Sequence, residues 1–210
     1  MTTAYSRSEI IKTIEMVGSR IYLIEQSLVG IDLSGLDLHE ADLTRVDLRR
    51  AHLSGTRFFR ARLPGADLRR ADLTSADLRG AVMIECNLLR ATLRGALLDG
   101  AKLSGANLAG ADLYLAKMRG NTELAHANLQ KANLQRASLV GAQLPGADLR
   151  GADLTGAQLL RSNLKDALYD EKTRWPQGLI PSIAGAVLSE PPDQYLTELE
   201  PDDEFSHDDH

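Results

Sequence analysis

The side chains able to do chemistry in this chain stand at fixed intervals. Aspartate recurs every five residues, at Asp32, Asp37, Asp42 and Asp47 and again at Asp67, Asp72 and Asp77, with asparagine taking the same place at Asn87, Asn107 and Asn128. Such a ladder is one way to stack metal ligands, but aspartate and asparagine at turns more often bond neighbouring backbone N–H groups. The turn role is the expectation here. His39, His52 and His126 fall at outward or corner positions, and His207 and His210 are too isolated to form a metal site. The single cysteine, Cys86, stands where the pattern otherwise has alanine and reads as a small buried thiol. One cysteine allows no disulfide within the chain, which suits a reducing compartment. Serines, histidines and carboxylates are plentiful, but they are locked to outward positions with no pocket implied. Enzyme is the least expected class, and no catalytic residue, metal or cofactor is assigned.

The elements that carry these residues follow from the period itself. Residues 61–79 read ARLPGADLRRADLTSADLR, and most of the chain repeats that phrase. With leucine as position i, alanine lies at i−2, Asp or Asn at i−1, and small or charged residues at i+1 and i+2. Five residues of α-helix turn through about 500°, so leucines at that spacing would spiral and form no stripe. On a straight strand an odd spacing would throw successive leucines to opposite faces. The pattern is consistent only if the chain turns a corner once per repeat. Positions i−2 and i then point inward, i−1 points outward, and i+1 with i+2 makes the corner, where glycine recurs at Gly35, Gly55, Gly65, Gly80 and beyond.

This A(D/N)LXX pattern resembles the pentapeptide-repeat proteins. The resemblance covers roughly residues 31–171 and implies an all-β fold, a right-handed quadrilateral β-helix with four repeats to a coil. About 28 repeats then make about seven coils, and at the 4.7–4.9 Å strand spacing the rod is roughly 34 Å long. The low aromatic content, 4%, suits an interior too narrow for much beyond leucine.

The rest of the chain divides around that solenoid. Ser6 and Glu9 read as a capping box ahead of Ile10, Ile11, Ile14 and Val17, so a short N-terminal capping helix is expected over about 7–17. With a degenerate first coil it makes up residues 1–30, and its expected role is to cover an open end that would otherwise template association. The repeat occupies 31–171, with one extra residue somewhere in 119–123. A closing segment, 172–188, carries the lone tryptophan, Trp175, as a lid on the last coil. An acidic tail, 189–210, is expected to be disordered. Its nine acids, with no Lys or Arg, leave the remainder of the chain at about +4 although the whole is −5. The N-terminus lacks an apolar signal core and no apolar run approaches the ~18 residues of a membrane span, so the chain is expected in the cytoplasm with no membrane partner.

Sorting outward residues by every fourth repeat gives each side a character. One side collects a basic stripe, Arg49, Arg50, Arg69, Arg70, Arg90, Lys131 and Arg150, interrupted by Asp47, Asp67 and Asp148. Another collects apolar residues, Phe59, Leu97, Val140 and Leu160, a row above the background of scattered surface apolar groups. That row is the candidate surface for a protein partner or for a homodimer. The resemblance also implies an alternative, protection of DNA gyrase by a rod that mimics DNA. A 34 Å mimic would present on the order of 20 negative charges, and a body near +4 disfavours it. Direct nucleic-acid binding through the stripe is disfavoured by the interleaved aspartates and the lack of stacking aromatics. A non-enzymatic protein-interaction rod of unknown partner is the leading expectation, with a polyanion binder as the second alternative. The charge split further predicts that the tail folds back weakly on the stripe.

Overall fold

Nearly every repeat turns on one backbone plan. The leucine carbonyl accepts the N–H three residues on, from Leu36 to Leu33 at 3.1 Å and from Ala71 to Leu68 at 3.0 Å. This closes a four-residue turn whose third residue has positive φ, the demand of a type II turn. Gly35 (69°) and Gly110 (62°) meet that demand without a Cβ, yet Arg50 (59°), Leu115 (59°) and Lys131 (57°) adopt it too. Glycine is therefore a common corner residue rather than a required one. Each non-glycine corner costs on the order of 1 kcal/mol, which the surrounding hydrogen-bond ladder offsets. A Cβ at Gly146 would stand 2.6 Å from Nδ1 of His126, so that exposed ring would have to turn aside.

The structure is a computed structural model and describes residues 5–189. The acidic tail expected over 189–210 falls, from residue 190 onward, outside the described residues. Successive coils are joined by parallel bridges twenty residues apart, arranged in four columns that begin at Tyr22, Ser27, Asp32 and Asp37. At each level the leucine N–H donates to the next coil, as from Leu33 to the His52 carbonyl (2.8 Å), and the i−1 N–H donates to the previous one, as from His52 to Ile31 (2.8 Å). The bridge spacing becomes twenty-one from Lys102↔Glu123 to Asp112↔Asn133 and Lys117↔Ser138. The extra residue is absorbed near Gly120, where the Gly100 N–H reaches the Arg119 carbonyl at 3.4 Å and the Thr122 hydroxyl at 3.1 Å.

The interior is a continuous file of the i−2 and i side chains, with Ala76, Leu78, Ala81 and Phe58 all fully buried. Where a fully or nearly fully buried alanine is replaced by a threonine or cysteine, the donor finds a leucine carbonyl of the preceding coil. Thr56 donates to Leu33 (2.8 Å), Cys86 to Leu63 (2.6 Å), Thr122 to Leu98 (3.0 Å) and Thr173 to Leu149 (3.0 Å). A small side chain with one satisfied donor thus replaces alanine without a desolvation penalty.

Residues from outside the repeat pack against both ends of the file. Helix α1 (Arg7–Val17) starts at a capping box in which Ser6 and Glu9 satisfy each other's backbone N–H, and it stops at Gly18. Its Ile10 is fully buried in the core, and Arg7 donates to the carbonyls of Asp32 (2.8 Å) and Ser34 (3.0 Å). The first coil has Ile21, Ile31 and Leu36 where later coils have alanine, and the latter two pack on the core with Ile14 of α1. At the far end β1 (Leu168–Tyr169) pairs in parallel with β2 (Val187–Leu188), extending the column that begins at Ser27. Half-buried Trp175 stands edge-on to Tyr169, ring centroids 5.6 Å apart.

Because Ala76 is enclosed on all sides, Ala76→Phe should overpack the file and cost about 1–3 kcal/mol. Asp77→Ala, at an outward position, should cost about 1 kcal/mol or less. Equal losses in urea denaturation would contradict the inward and outward assignment.

Candidate interaction surfaces

The Asp/Asn ladder is occupied by turn bonding. An oxygen of each side chain accepts the backbone N–H two residues on, as in Asp42 from Thr44 (3.1 Å), Asp72 from Thr74 (3.0 Å) and Asn128 from Gln130 (3.1 Å). Among the described residues no group of His, Cys, Asp and Glu is placed to hold a metal ion. Strand alternation puts i−1 and i+1 on the same outward face, so an arginine at i+1 meets its own aspartate. Asp47 pairs with Arg49 (2.7 Å), Asp67 with Arg69 (2.6 Å) and Asp77 with Arg79 (2.7 Å). The side-chain hydrogen bond from Arg49 holds the Asp47 carboxyl below its ordinary pKa, and Arg79 does the same for Asp77.

All seven basic residues lie along the column that begins at Ser27, but they are of two kinds. Arg49, Arg69 and Arg150 are tied to Asp47, Asp67 and Asp148. Arg50, Arg70 and Arg90 occupy corner positions on three consecutive coils, are exposed, and have no ion pair among the described residues. With Arg49, Arg69 and Leu89 they line a cleft of about 450 Å³. Lys131 continues the corner file beyond Gly110, two coils from Arg90. Like charges one coil rise apart repel by on the order of 1 kcal/mol per pair in water, a cost the chain carries at no other corner file.

The four apolar residues also share one side, the column that begins at Asp37. Leu160 is 69% exposed, while Phe59, Leu97 and Val140 are half-buried. Phe59 sits under two guanidinium groups, with Arg60 at 5.0 Å and Arg79 at 5.8 Å from the ring centroid. Leu97, Val140 and Leu160 lie on later coils, and Leu115, 48% exposed, stands at the adjoining corner on the level between Leu97 and Val140. Sequence reasoning passed over Leu115 because it occupies a corner position, where polar or small residues are expected.

His39 is a second residue whose surroundings the sequence did not reveal. It is half-buried rather than simply solvated: its Nδ1 lies 2.8 Å from the Ser19 hydroxyl and 2.9 Å from Oδ1 of Asp37. The Ser19 hydroxyl also lies 3.0 Å from Nε2, so it straddles the two ring nitrogens while Asp37 meets Nδ1 alone. Ser19 is itself buried. The cluster ties the end of α1 to the last side of the first coil. His52 and His126 are exposed. Cys86 is fully buried, and loss of solvent around the thiol pushes its pKa up to about 12.

A family model for pentapeptide repeats matches in eight copies over residues 19–55, 51–88, 86–120 and 127–166. The chain belongs to the pentapeptide-repeat family, whose fold is a β-helix. No curated protein matches it in sequence. Among solved structures it is similar to HetL, a pentapeptide-repeat protein involved in heterocyst differentiation regulation in the cyanobacterium Nostoc sp. strain PCC 7120. The two are 26% identical over 87% of this chain and 92% of HetL, with a TM-score of 0.39. Rfr23 from the cyanobacterium Cyanothece 51142 is 25% identical over 81% of this chain and 99% of its own, TM-score 0.36. Trypsin-treated QnrB1, a plasmid-mediated fluoroquinolone resistance protein, is 20% identical over 81% and 85%, TM-score 0.49.

Two outcomes follow from the ionisable groups. A carboxyl whose folded-state pKa lies below its unfolded value adds stability above the unfolded value and loses it as pH falls through the folded one. Asp47 and Asp77 should therefore contribute fully at neutral pH and lose their contribution below about pH 4. Asp77→Asn keeps a turn acceptor, as Asn87 and Asn107 do, so urea unfolding should show a small loss at pH 7 and a shallower decline between about pH 4 and pH 2. An unchanged acid slope would contradict the Arg79 pairing. Cys86 should resist thiol reagents at pH 8 in the native chain and react fully in urea, and rapid native labelling would contradict its burial.

Proposed function

We propose that the chain is a non-enzymatic rod that binds another protein, or a second copy of itself, through the side carrying Phe59, Leu97, Val140 and Leu160. The observation that supports this most directly is Leu160, 69% exposed in a row continued by Leu97, Leu115 and Val140. The aspartates of the repeat ladder, by contrast, are engaged in turn bonds, and many of them in ion pairs as well, among the described residues. On this reading α1 and the segment 172–188 close the two ends of the solenoid, and recognition falls to the flat sides between them. A stable contact needs of the order of 800 Å² per partner, so the row supplies the dry centre and the polar residues around it the rim. Leu160 and Leu97 are the anchors of that centre, and Phe59, under Arg60 and Arg79, contributes less.

Leu97→Asp with Leu160→Asp should leave the unfolding transition in place and abolish self-association in sedimentation, or capture of a partner. Phe59→Asp should weaken association less. Unchanged association in the double variant would remove this side from consideration. The alternative, a DNA-mimic modulator of gyrase, rests on family resemblance, and the likeness to QnrB1 is one of fold alone. A gyrase supercoiling assay separates the two: the interaction rod leaves supercoiling unchanged, and inhibition or protection of the enzyme would favour the mimic.

A further inference from the structure

The corner file of Arg50, Arg70 and Arg90 is a charged surface without a counter-charge among the described residues. Its neighbours show what is missing. Arg49 and Arg69, one residue away in sequence, are held by Asp47 and Asp67 and have no charge to spare. The corner arginines are one residue beyond the reach of those aspartates, because positive φ at the corner turns them off the strand's outward face. No other side of the rod has cations at the corner on consecutive coils: the file through Arg45 alternates with Glu25 and Glu85, and the files through Arg60 and Arg136 are mostly glycine. The cleft beside the three arginines also has apolar lining, from Leu89 and half-exposed Val29. A fitting occupant has several anionic groups on an extended chain, with apolar side chains between them.

We propose that this occupant is the chain's own acidic segment, residues 198–204, docked along the Arg50–Arg70–Arg90 file. Three observations carry the assignment. First, the charges match: residues 190–210 hold nine acids and no Lys or Arg, five of them at Glu198, Glu200, Asp202, Asp203 and Glu204, with Tyr195, Leu196 and Leu199 beside them. Second, the described chain ends on the right side. Strand β2 pairs with β1 in the column that begins at Ser27, and the Ser189 N–H donates to the Tyr169 carbonyl at 2.7 Å, so the chain leaves the rod on the column that carries the arginines. Third, the length fits. Five coil rises separate the β2 level from that of Arg90 and seven separate it from that of Arg50, about 24 Å and about 34 Å. From Ser189 an extended chain reaches at most about 30 Å at Glu198 and about 50 Å at Glu204. The segment therefore spans the whole file without displacing any coil. Tethering holds it at an effective concentration in the millimolar range, so weak individual pairs suffice. External polyanions must then compete with the segment for the cleft. This inference is independent of the protein-binding reading, which concerns the side that begins at Asp37.

The test is a zero-length carbodiimide cross-link in the full chain, which joins an amine to a carboxylate only where the two touch. Arg70→Lys places an amine in the file at unchanged charge, and Arg136→Lys places one at a corner of another side. At ~10 mM salt, where the Debye length is about 30 Å, peptide mapping should find position 70 joined to residues 198–204 within one chain, at least about fivefold more often than position 136. At ~1 M salt, with a Debye length of about 3 Å, the link should be lost. Adding Arg50→Gln and Arg90→Gln to Arg70→Lys should lower the yield, and added heparin should compete it away. Equal yields at positions 70 and 136, or no link at 70, would overturn the proposal. Links only between differently isotope-labelled chains would overturn it in favour of a second copy as occupant. Undiminished linking at high salt would overturn the electrostatic basis. Because Arg70→Lys and Arg136→Lys both sit on exposed corners, a shared folding defect cannot produce the difference between them.

Discussion

The solenoid depends on the requirement that the backbone N–H and C=O groups of its short strands find partners one coil away. Leucine donates up the rod and the residue before it donates down, so each three-residue strand is saturated by its neighbours. A register of twenty residues is therefore imposed on side chains as well as on backbone. Whatever stands at an outward position stands one strand spacing, about 4.8 Å, from its counterparts above and below. The chain obtains a stable fold from this without aromatic bulk, since each leucine removed from water contributes roughly 1.5–3 kcal/mol. The same register arranges the surface into files. Like residues stack, and a file of arginines or leucines is a direct consequence of which letter the sequence repeats.

The interior shows how narrow the tolerance is. Phe58 is accepted at the leucine position, and Val46 at the alanine position, but hydroxyl and thiol groups enter only where they donate to a leucine carbonyl. That carbonyl already accepts the turn N–H and has a second lone pair to offer. Thr122 shows the use of this arrangement, because it stands beside the extra residue and its hydroxyl takes up the Gly100 N–H as well as reaching Leu98. An insertion that would break a helix or shift a strand by one face is confined to one corner.

Much of this was legible from residue order. The period of five excluded a helix and a flat strand on geometry alone, and Ser6 with Glu9 marked the start of α1. The two side files were legible too, because the register carries sequence spacing directly into space. What sequence could not supply was the competition among neighbours. Arg49 and Arg50 look alike in a string, yet one is neutralised by Asp47 and the other is not, since strand alternation brings i−1 and i+1 together and leaves i+2 out. Phe59 read as an apolar surface residue, and two guanidinium groups cover it. Leu115 was hidden by its corner position and His39 by its contact with Ser19, a residue outside the repeat.

The same competition decides what electrostatic field the rod projects. A carboxylate that accepts a backbone N–H and pairs with an arginine two residues on contributes little beyond its own surface, as Asp47, Asp67, Asp77 and Asp148 do. Charges that escape pairing are the ones that act at a distance, and on this rod three consecutive corners of that kind are basic. A DNA mimic needs the opposite: rows of carboxylates left unpaired, at a density near one charge per 1.7 Å of length. The Asp-Leu-Arg order repeated here is a local arrangement that cancels such rows as it forms them. Where threonine or tyrosine stands two residues on instead, as after Asp72 and Asp112, the aspartate lacks that partner, so only the Asp-Leu-Arg repeats are neutralised within themselves.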